Sequence, residues 1–312
     1  MTGFTSRITI GERHSPQRRP LMFEGFTREF VTTEDGVVFL RRRGTGPPVL
    51  LLHGFPQTHV AWHLVAPALT DRFTVIAADL PGYGQSTLVD RSGEPWSKRR
   101  VARGLVAAMS AIGLHRWSVA GHDRGARVAY RMALDAPAQV ERLCILDVVP
   151  TLEMVEECWY GLATAMANWF FLAQPAPLPE RMIAAAGDRY VNHILDQWLG
   201  AAGSLDPLAR VAYVAAFRDP AVVHAACEDY RAGSTVDVEH DRQDLEAGRQ
   251  LTCPVLVLWS AEGLTARFFD PLTTWRRWTR NVRGHELAAG HFLMEEAPEH
   301  VIREMTSFLS SG

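Results

Sequence analysis

The sequence predicts an α/β architecture, a mostly parallel sheet with helices on both faces. Three observations carry this. Short apolar runs alternate with segments of helical spacing through the first half of the chain. One strand-to-helix junction reads Gly121-His122-Asp123-Arg124-Gly125, with glycine on both sides of the turn. The alternation then stops at Pro150, is replaced by helical sequence to about His240, and resumes at Val255.

Taken in order, Phe26 to Thr33 and Val37 to Arg43 alternate in polarity around Asp35-Gly36, which predicts a hairpin. Pro47-Pro48 introduces Val49-Leu50-Leu51-Leu52, a run suited to a strand buried on both faces, and His53-Gly54-Phe55-Pro56-Gln57 follows it. Helical residues around Trp62 to Leu69 precede a strand at Phe73 to Ala78 and a turn from Asp79 to Ser86. Arg99 to Ile112 is helical. Trp117 to Ala120 is the strand that feeds the glycine-flanked turn, and the helix after that turn ends near Pro137. Leu143 to Val149 is the next strand. After the long helical stretch come a strand at Val255 to Trp259, a helix at Pro271 to Trp278, an eighth strand at His285 to Ala288 and a last helix near Pro298 to Leu309. Residues 21–150 and 241–312 are therefore expected to form one core domain. Residues 151–240 would be a helical cap over the carboxyl edge of the sheet, where sites of such folds lie. The polar, arginine-containing stretch from Met1 to Pro20 reads as a mobile arm rather than a secretory signal.

Composition narrows the function. The chain has 312 residues, a net charge of −3 and 47% hydrophobic residues, which fits a globular protein with an ample core. The balanced charge, without a dense basic face, argues against nucleic acid as a partner. No apolar run reaches the ~20 residues of a membrane span. Cys144, Cys158, Cys227 and Cys253 are scattered in apolar contexts without a C-x-x-C pair, which predicts buried free thiols and a cytoplasmic protein.

The chemistry begins at Asp123. A sharp strand-to-helix turn pushes its central side chain into the open beside helix N-terminal N–H groups. A serine there would need a base to deprotonate it, whereas a carboxylate is already an anion at neutral pH. An aspartate nucleophile yields an alkyl ester when it displaces a group from saturated carbon. The plainer alternative is an aspartate that merely caps the helix. Arg124 and Arg127 follow, three apart and nearly on one helical face, so both guanidinium groups can converge beside the nucleophile and receive an anionic substrate. A salt-bridged helix face is the alternative for Arg127.

With His53-Gly-Phe-Pro-Gln57, Asp79-Leu-Pro-Gly-Tyr-Gly84, Gly121-His-Asp-Arg-Gly-Ala-Arg127, Phe171-Leu-Ala-Gln-Pro-Ala-Pro-Leu-Pro179, Cys227-Glu-Asp-Tyr-Arg-Ala-Gly233 and Gly290-His-Phe292 in hand, the chain resembles the α/β-hydrolase superfamily and, within it, the fluoroacetate (haloacetate) dehalogenases, over roughly residues 25 to 310. The resemblance implies the α/β-hydrolase fold, no cofactor and no metal, a small haloacid as substrate, and a homodimer. It implies that Asp123 displaces the halide and that His291 activates water to hydrolyse the ester. Asp147 would orient the histidine, with Glu262 as the competing acid. The backbone N–H groups of Phe55 and Arg124 would hold the oxyanion. Trp169 and Tyr230 would receive the halide, with Asn168 standing where the family carries histidine. A neutral amide offers less to fluoride than a histidine able to carry charge. His53 and His122 would serve packing or hydrogen bonding. An epoxide hydrolase would use the same aspartate and histidine with two cap tyrosines, Tyr230 and one of Tyr160, Tyr190 or Tyr213. A ligand receptor on this fold would show a damaged triad.

Overall fold

The computed structural model describes residues 22–91 and 93–311. The expected N-terminal arm lies outside those residues. Eight strands form one sheet: β1 (Thr27–Thr33), β2 (Gly36–Arg43), β3 (Pro48–Leu52), β4 (Thr74–Ala78), β5 (Trp117–His122), β6 (Val140–Leu146), β7 (Val255–Ser260) and β8 (Val282–Leu287). Their order across the sheet is β1-β2-β4-β3-β5-β6-β7-β8. The β1–β2 and β2–β4 pairs are antiparallel and every other pair is parallel. The glycine-flanked turn therefore leaves the middle of the sheet.

Alternation along the buried strands divides the core. Leu50, Leu52, Ile76, Val119, Leu143 and Val257 pack on one face, together with the helices Lys98–Ala111 and Arg124–Asp135. Leu51, Val75, Ala120, Cys144, Leu146 and Leu258 pack on the other, against the helices Val65–Leu69 and Pro298–Ser310. Both faces are thus covered, as a parallel sheet requires.

Two strands begin and end earlier than the apolar pattern suggests. β6 starts at Val140, which pairs with Trp117, and stops at Leu146 because Asp147 takes φ 54° and turns the chain out of the ladder. β8 covers Val282–Leu287, a largely exposed edge strand with little apolar signature. The expected helix Pro271 to Trp278 ends at Trp275. Cys144, Cys227 and Cys253 are buried free thiols, whereas Cys158 is only half-buried.

The helices inserted between β6 and β7 run from Thr151–Glu156 to Val236–Glu246, the last of them crossing the expected boundary at residue 240. Buried ion pairs fix this last helix to the core. Arg131 donates to Asp241 at 2.6 Å and also pairs with Asp244, and the Tyr130 hydroxyl donates to Asp241 at 2.7 Å. No helix among the described residues is long and apolar enough to cross a membrane.

A buried acid joins the insertion to the core on the other side. Glu295 accepts from the Tyr213 hydroxyl at 3.0 Å and from the Gln57 amide. Burial pushes its carboxyl up to about 8, aided by the charge of Glu296 and opposed by the bonds from Tyr213 and Gln57. A folded pKa above the unfolded one means that the native state holds the extra proton. This contribution to stability is therefore full below the ordinary carboxyl pKa and is lost as pH rises through about 8. Glu295→Gln should flatten that dependence: in melts from about pH 5 to about pH 9, the wild-type midpoint should fall more steeply than the variant's.

Candidate active site

β5 ends at His122, and Asp123 sits alone at φ 47°, ψ −116° before the helix Arg124–Asp135. Its side chain makes no capping bond to that helix, which removes the capping account of the residue. Only glycine fits around this turn. A Cβ on Gly121 would lie 2.4 Å from the Gly125 carbonyl oxygen, and one on Gly125 would lie 2.3 Å from the His53 oxygen. Gly54 packs so closely that a Cβ there would fall 2.5 Å from the Asp123 Cβ.

The two oxygens of Asp123 have different surroundings. Oδ1 accepts from the Phe55 N–H at 2.9 Å, while Oδ2 lies 3.8 Å from His291 Nε2. The Arg124 N–H belongs to the first residue of the helix, where no intrahelical acceptor exists. Burial alone would raise the Asp123 pKa, but His291, His122, Arg124 and the Phe55 N–H together hold it below the ordinary carboxylate value.

His291 Nδ1 is 2.7 Å from Asp147 Oδ2. Asp147 is itself fixed, accepting at Oδ1 from the Ser260 N–H at 3.0 Å. It does not cap the helix Thr151–Glu156, whose N-cap is Pro150 without a side-chain bond. Glu262 instead accepts from the Ala201 N–H at 2.9 Å. The acid that reaches His291 is thus Asp147. Burial depresses the His291 pKa, yet the bond to and charge of Asp147, then the charge of Asp123, more than offset it, and the net shift is upward. His122 is fully buried, its pKa pushed down to about 3 chiefly by burial, and its Nε2 lies 2.8 Å from the His291 carbonyl. The neutral ring therefore donates there. His53 is likewise buried, its Nε2 accepting from the Leu80 N–H at 3.0 Å.

The two arginines differ. Arg124 is fully buried, with Nε 2.6 Å from Asp229 Oδ2 and Nη2 donating to the Asp229 carbonyl at 2.8 Å. Lys98 pairs with the other Asp229 oxygen. Despite burial, these two cations hold the Asp229 carboxyl down to about 2. Arg127 is 2% exposed and donates only to neutral oxygens, Val149 O and Thr151 Oγ1, each at 3.1 Å. Among the described residues it forms no ion pair. Arg124 Nη1 and Arg127 Nε are buried without a partner among the described residues. Both guanidinium groups face the Trp169 ring, at 4.7 and 5.0 Å from its centroid.

A cavity of about 390 Å³ opens beside these groups, with Asp123, Arg127 and His291 in its wall. Arg124 lies behind the wall, so the expected convergence of both cations on one open point is only partly met. Asn168, Trp169 and Tyr230 also line the cavity. The Trp169 donor is already engaged, and Asn168 is engaged at its oxygen alone, its Nδ2 having no partner among the described residues. The Trp169 indole N–H donates to Ser234 Oγ at 2.7 Å, and the Tyr190 hydroxyl donates to Asn168 Oδ1 at 2.6 Å. The Tyr230 hydroxyl makes no hydrogen bond within the protein among the described residues. Of the other tyrosines proposed from sequence, Tyr160 is 87% exposed and Tyr213 is bound to Glu295, so neither reaches the cavity. Sequence reasoning quoted the Cys227-Glu-Asp-Tyr-Arg segment but gave Asp229 no role, and it missed Ser234 altogether. A carboxylate immediately before a pocket tyrosine was the one available signal.

Residues 47–298 match the family described as alpha/beta hydrolase fold. A fluoroacetate dehalogenase from Burkholderia sp. is 42% identical, covering 93% of this chain and 96% of its own. A soluble epoxide hydrolase from Corynebacterium sp. (strain C12) is 30% identical over the same shares. A solved Pseudomonas aeruginosa structure, provisionally described as an epoxide hydrolase, is 42% identical with a TM-score of 0.90, over 94% of this chain and 98% of its own. The chain belongs to the α/β-hydrolase superfamily and, within it, to the fluoroacetate dehalogenase family of hydrolases.

Because the Asp123 charge helps raise the His291 pKa, Asp123→Asn should lower it. An imidazole titration followed by NMR in both proteins checks this, and an unchanged midpoint would break the electrostatic link.

Proposed function

We propose that this protein is a haloacetate dehalogenase that converts 2-haloacetates to glycolate and halide through an ester on Asp123. The observation that carries the reading is Arg127, a buried cation in the cavity wall with no anionic partner of its own. An uncompensated buried charge is costly, and a bound carboxylate is the group that relieves it. The unpartnered Arg124 Nη1 adds a second donor behind it. An epoxide is neutral and gives such a site nothing. That rival also wants two cavity tyrosines, and among the described residues only Tyr230 brings a free hydroxyl to the wall.

The geometry supports the following cycle. Oδ2 of Asp123 attacks the halogen-bearing carbon, a C–O bond forms, and the halide leaves with the bonding pair. Oδ1 stays on the Phe55 N–H. His291, oriented by Asp147, takes a proton from water, and the hydroxide adds to Cγ. The Phe55 and Arg124 N–H groups hold the oxyanion on Oδ1. Collapse releases Oδ2 as the product hydroxyl, which takes the proton from His291, and the hydroxyl left on Asp123 gives its proton to solvent to restore the carboxylate. The helical insertion, residues 151–246, acts as a cap that covers this chemistry.

Halide preference follows from the donors that remain. With the Trp169 N–H held by Ser234, the donors that remain are neutral: the Tyr230 hydroxyl and the Asn168 amide N–H group, whose oxygen alone is held by Tyr190. Fluoride is strongly hydrated and needs a charged donor more than two neutral ones. Chloride and bromide should therefore leave faster than fluoride when the three haloacetates are compared by halide release. A single turnover with excess enzyme in heavy-oxygen water should place the label on Asp123 and none in glycolate. Diol formation from a neutral epoxide, without halide release from chloroacetate, would replace this reading with the epoxide hydrolase.

Arg127→Met removes a buried unpaired charge, so its thermal midpoint should equal or exceed the wild type. Its kcat/KM for chloroacetate should nonetheless fall about tenfold or more, as the loss of a charged hydrogen bond implies.

A further inference from the structure

The loop that carries His291 is held by a carboxylate that the cycle above does not use. Glu296 Oε2 accepts from the Gly290 N–H at 3.0 Å, and Oε1 accepts from the Phe292 N–H at 2.9 Å. Those are the peptide N–H groups on either side of His291. The same Oε2 accepts a third bond, from the Gly200 N–H in the inserted helices, at 2.8 Å. The His291 N–H in turn donates to the Trp198 carbonyl at 2.9 Å. Gly200 and Gly290 face each other so closely that a Cβ on Gly290 would lie 2.0 Å from the Gly200 nitrogen.

A glutamate just inside a short helix can simply cap it by reaching back to the N-cap N–H. The bond to Phe292, which is that N-cap, is of this kind. Capping explains neither the bond to Gly290 nor the bond across to Gly200. With His122 and the Leu293 N–H both on the His291 carbonyl, the backbone around the base makes five such bonds; one ends on Trp198, and Glu296 links another to Gly200. A carboxylate serves here because both oxygens only accept. An amide of the same shape would turn an N–H group against one of the three donors.

We propose that Glu296 is a positioning residue for His291, and that it couples the seating of the inserted segment at Gly200 to the water-activating step. The inference rests on the two-step reading above and assigns Glu296 to its second step alone. Asp123 is held by Phe55 and by the glycine turn, none of which Glu296 touches, so ester formation should not need it.

The test is rapid-quench kinetics with chloroacetate on Glu296→Gln, with His291→Asn run alongside. Glu296→Gln should release one halide per active site at the wild-type burst rate, then turn over about 10²-fold more slowly, the scale of loss for a misplaced catalytic group. The ester should accumulate, visible as added mass on the peptide containing Asp123. Gly200→Ala attacks the same contact from the other side, since its Cβ would lie 2.6 Å from the Gly290 nitrogen, and it should give the same pattern. It carries the test if the glutamine variant does not fold. Burst and steady state falling together, or full turnover in both variants, would overturn the role of Glu296 while ester trapping in His291→Asn keeps the two-step reading. Failure of His291→Asn to trap ester would overturn both.

Discussion

A carboxylate presented at φ 47° on a strand-to-helix turn is the constraint that the rest of the site answers to. A non-glycine residue in that region is strained by roughly 1–3 kcal/mol and persists only where its surroundings over-determine it. Here the surroundings are backbone. Gly121, Gly125 and Gly54 let three pieces of main chain close on Asp123 at distances that no Cβ allows. The closeness of Gly54 is also what brings the Phe55 N–H to within 2.9 Å of Oδ1. One packing solution thus sets both the Asp123 carboxylate and the donor beside it.

Charge is organised around that anion in layers. Arg124 is neutralised by Asp229, which Lys98 also holds, so its position is fixed by a buried network spanning core and insertion. Arg127 is left with neutral acceptors alone. Burial and the neighbouring Arg124 both push the Arg127 pKa downward, the signature of a cation that its surroundings do not welcome. Such an arrangement is costly to stability, and in the proposed function it keeps a receptor for negative charge ready in the cavity wall. The opposite balance holds at His291, whose two carboxylate neighbours outweigh burial.

Much of this was legible in the sequence, for reasons that are local. The hairpin around Asp35-Gly36, the apolar run at β3 and the glycine-flanked turn each follow from a few adjacent residues. Asp123, Asp147 and His291, singled out from their places at strand ends and in loops, stand in one site. What could not be read depends on partners far apart in the chain. The Trp169 indole N–H looks available until the fold sets Ser234 beside it. Arg124 and Arg127 look equivalent until Asp229, more than a hundred residues later, claims one of them. The early end of β6 depends on a single backbone angle at Asp147, and β8 is an exposed edge strand whose polar residues carry no inward stripe.

The unequal environments of the two Asp123 oxygens have a consequence for the fate of individual atoms. In the proposed cycle Oδ2 departs inside every product molecule, and an oxygen from solvent takes its place. Oδ1, anchored to Phe55, remains. The enzyme therefore renews half of one carboxyl group with each product formed, and the hydroxyl of any given glycolate comes from the water consumed one cycle earlier. Only rotation of the carboxyl group, which must break the bond to Phe55, would scramble that memory.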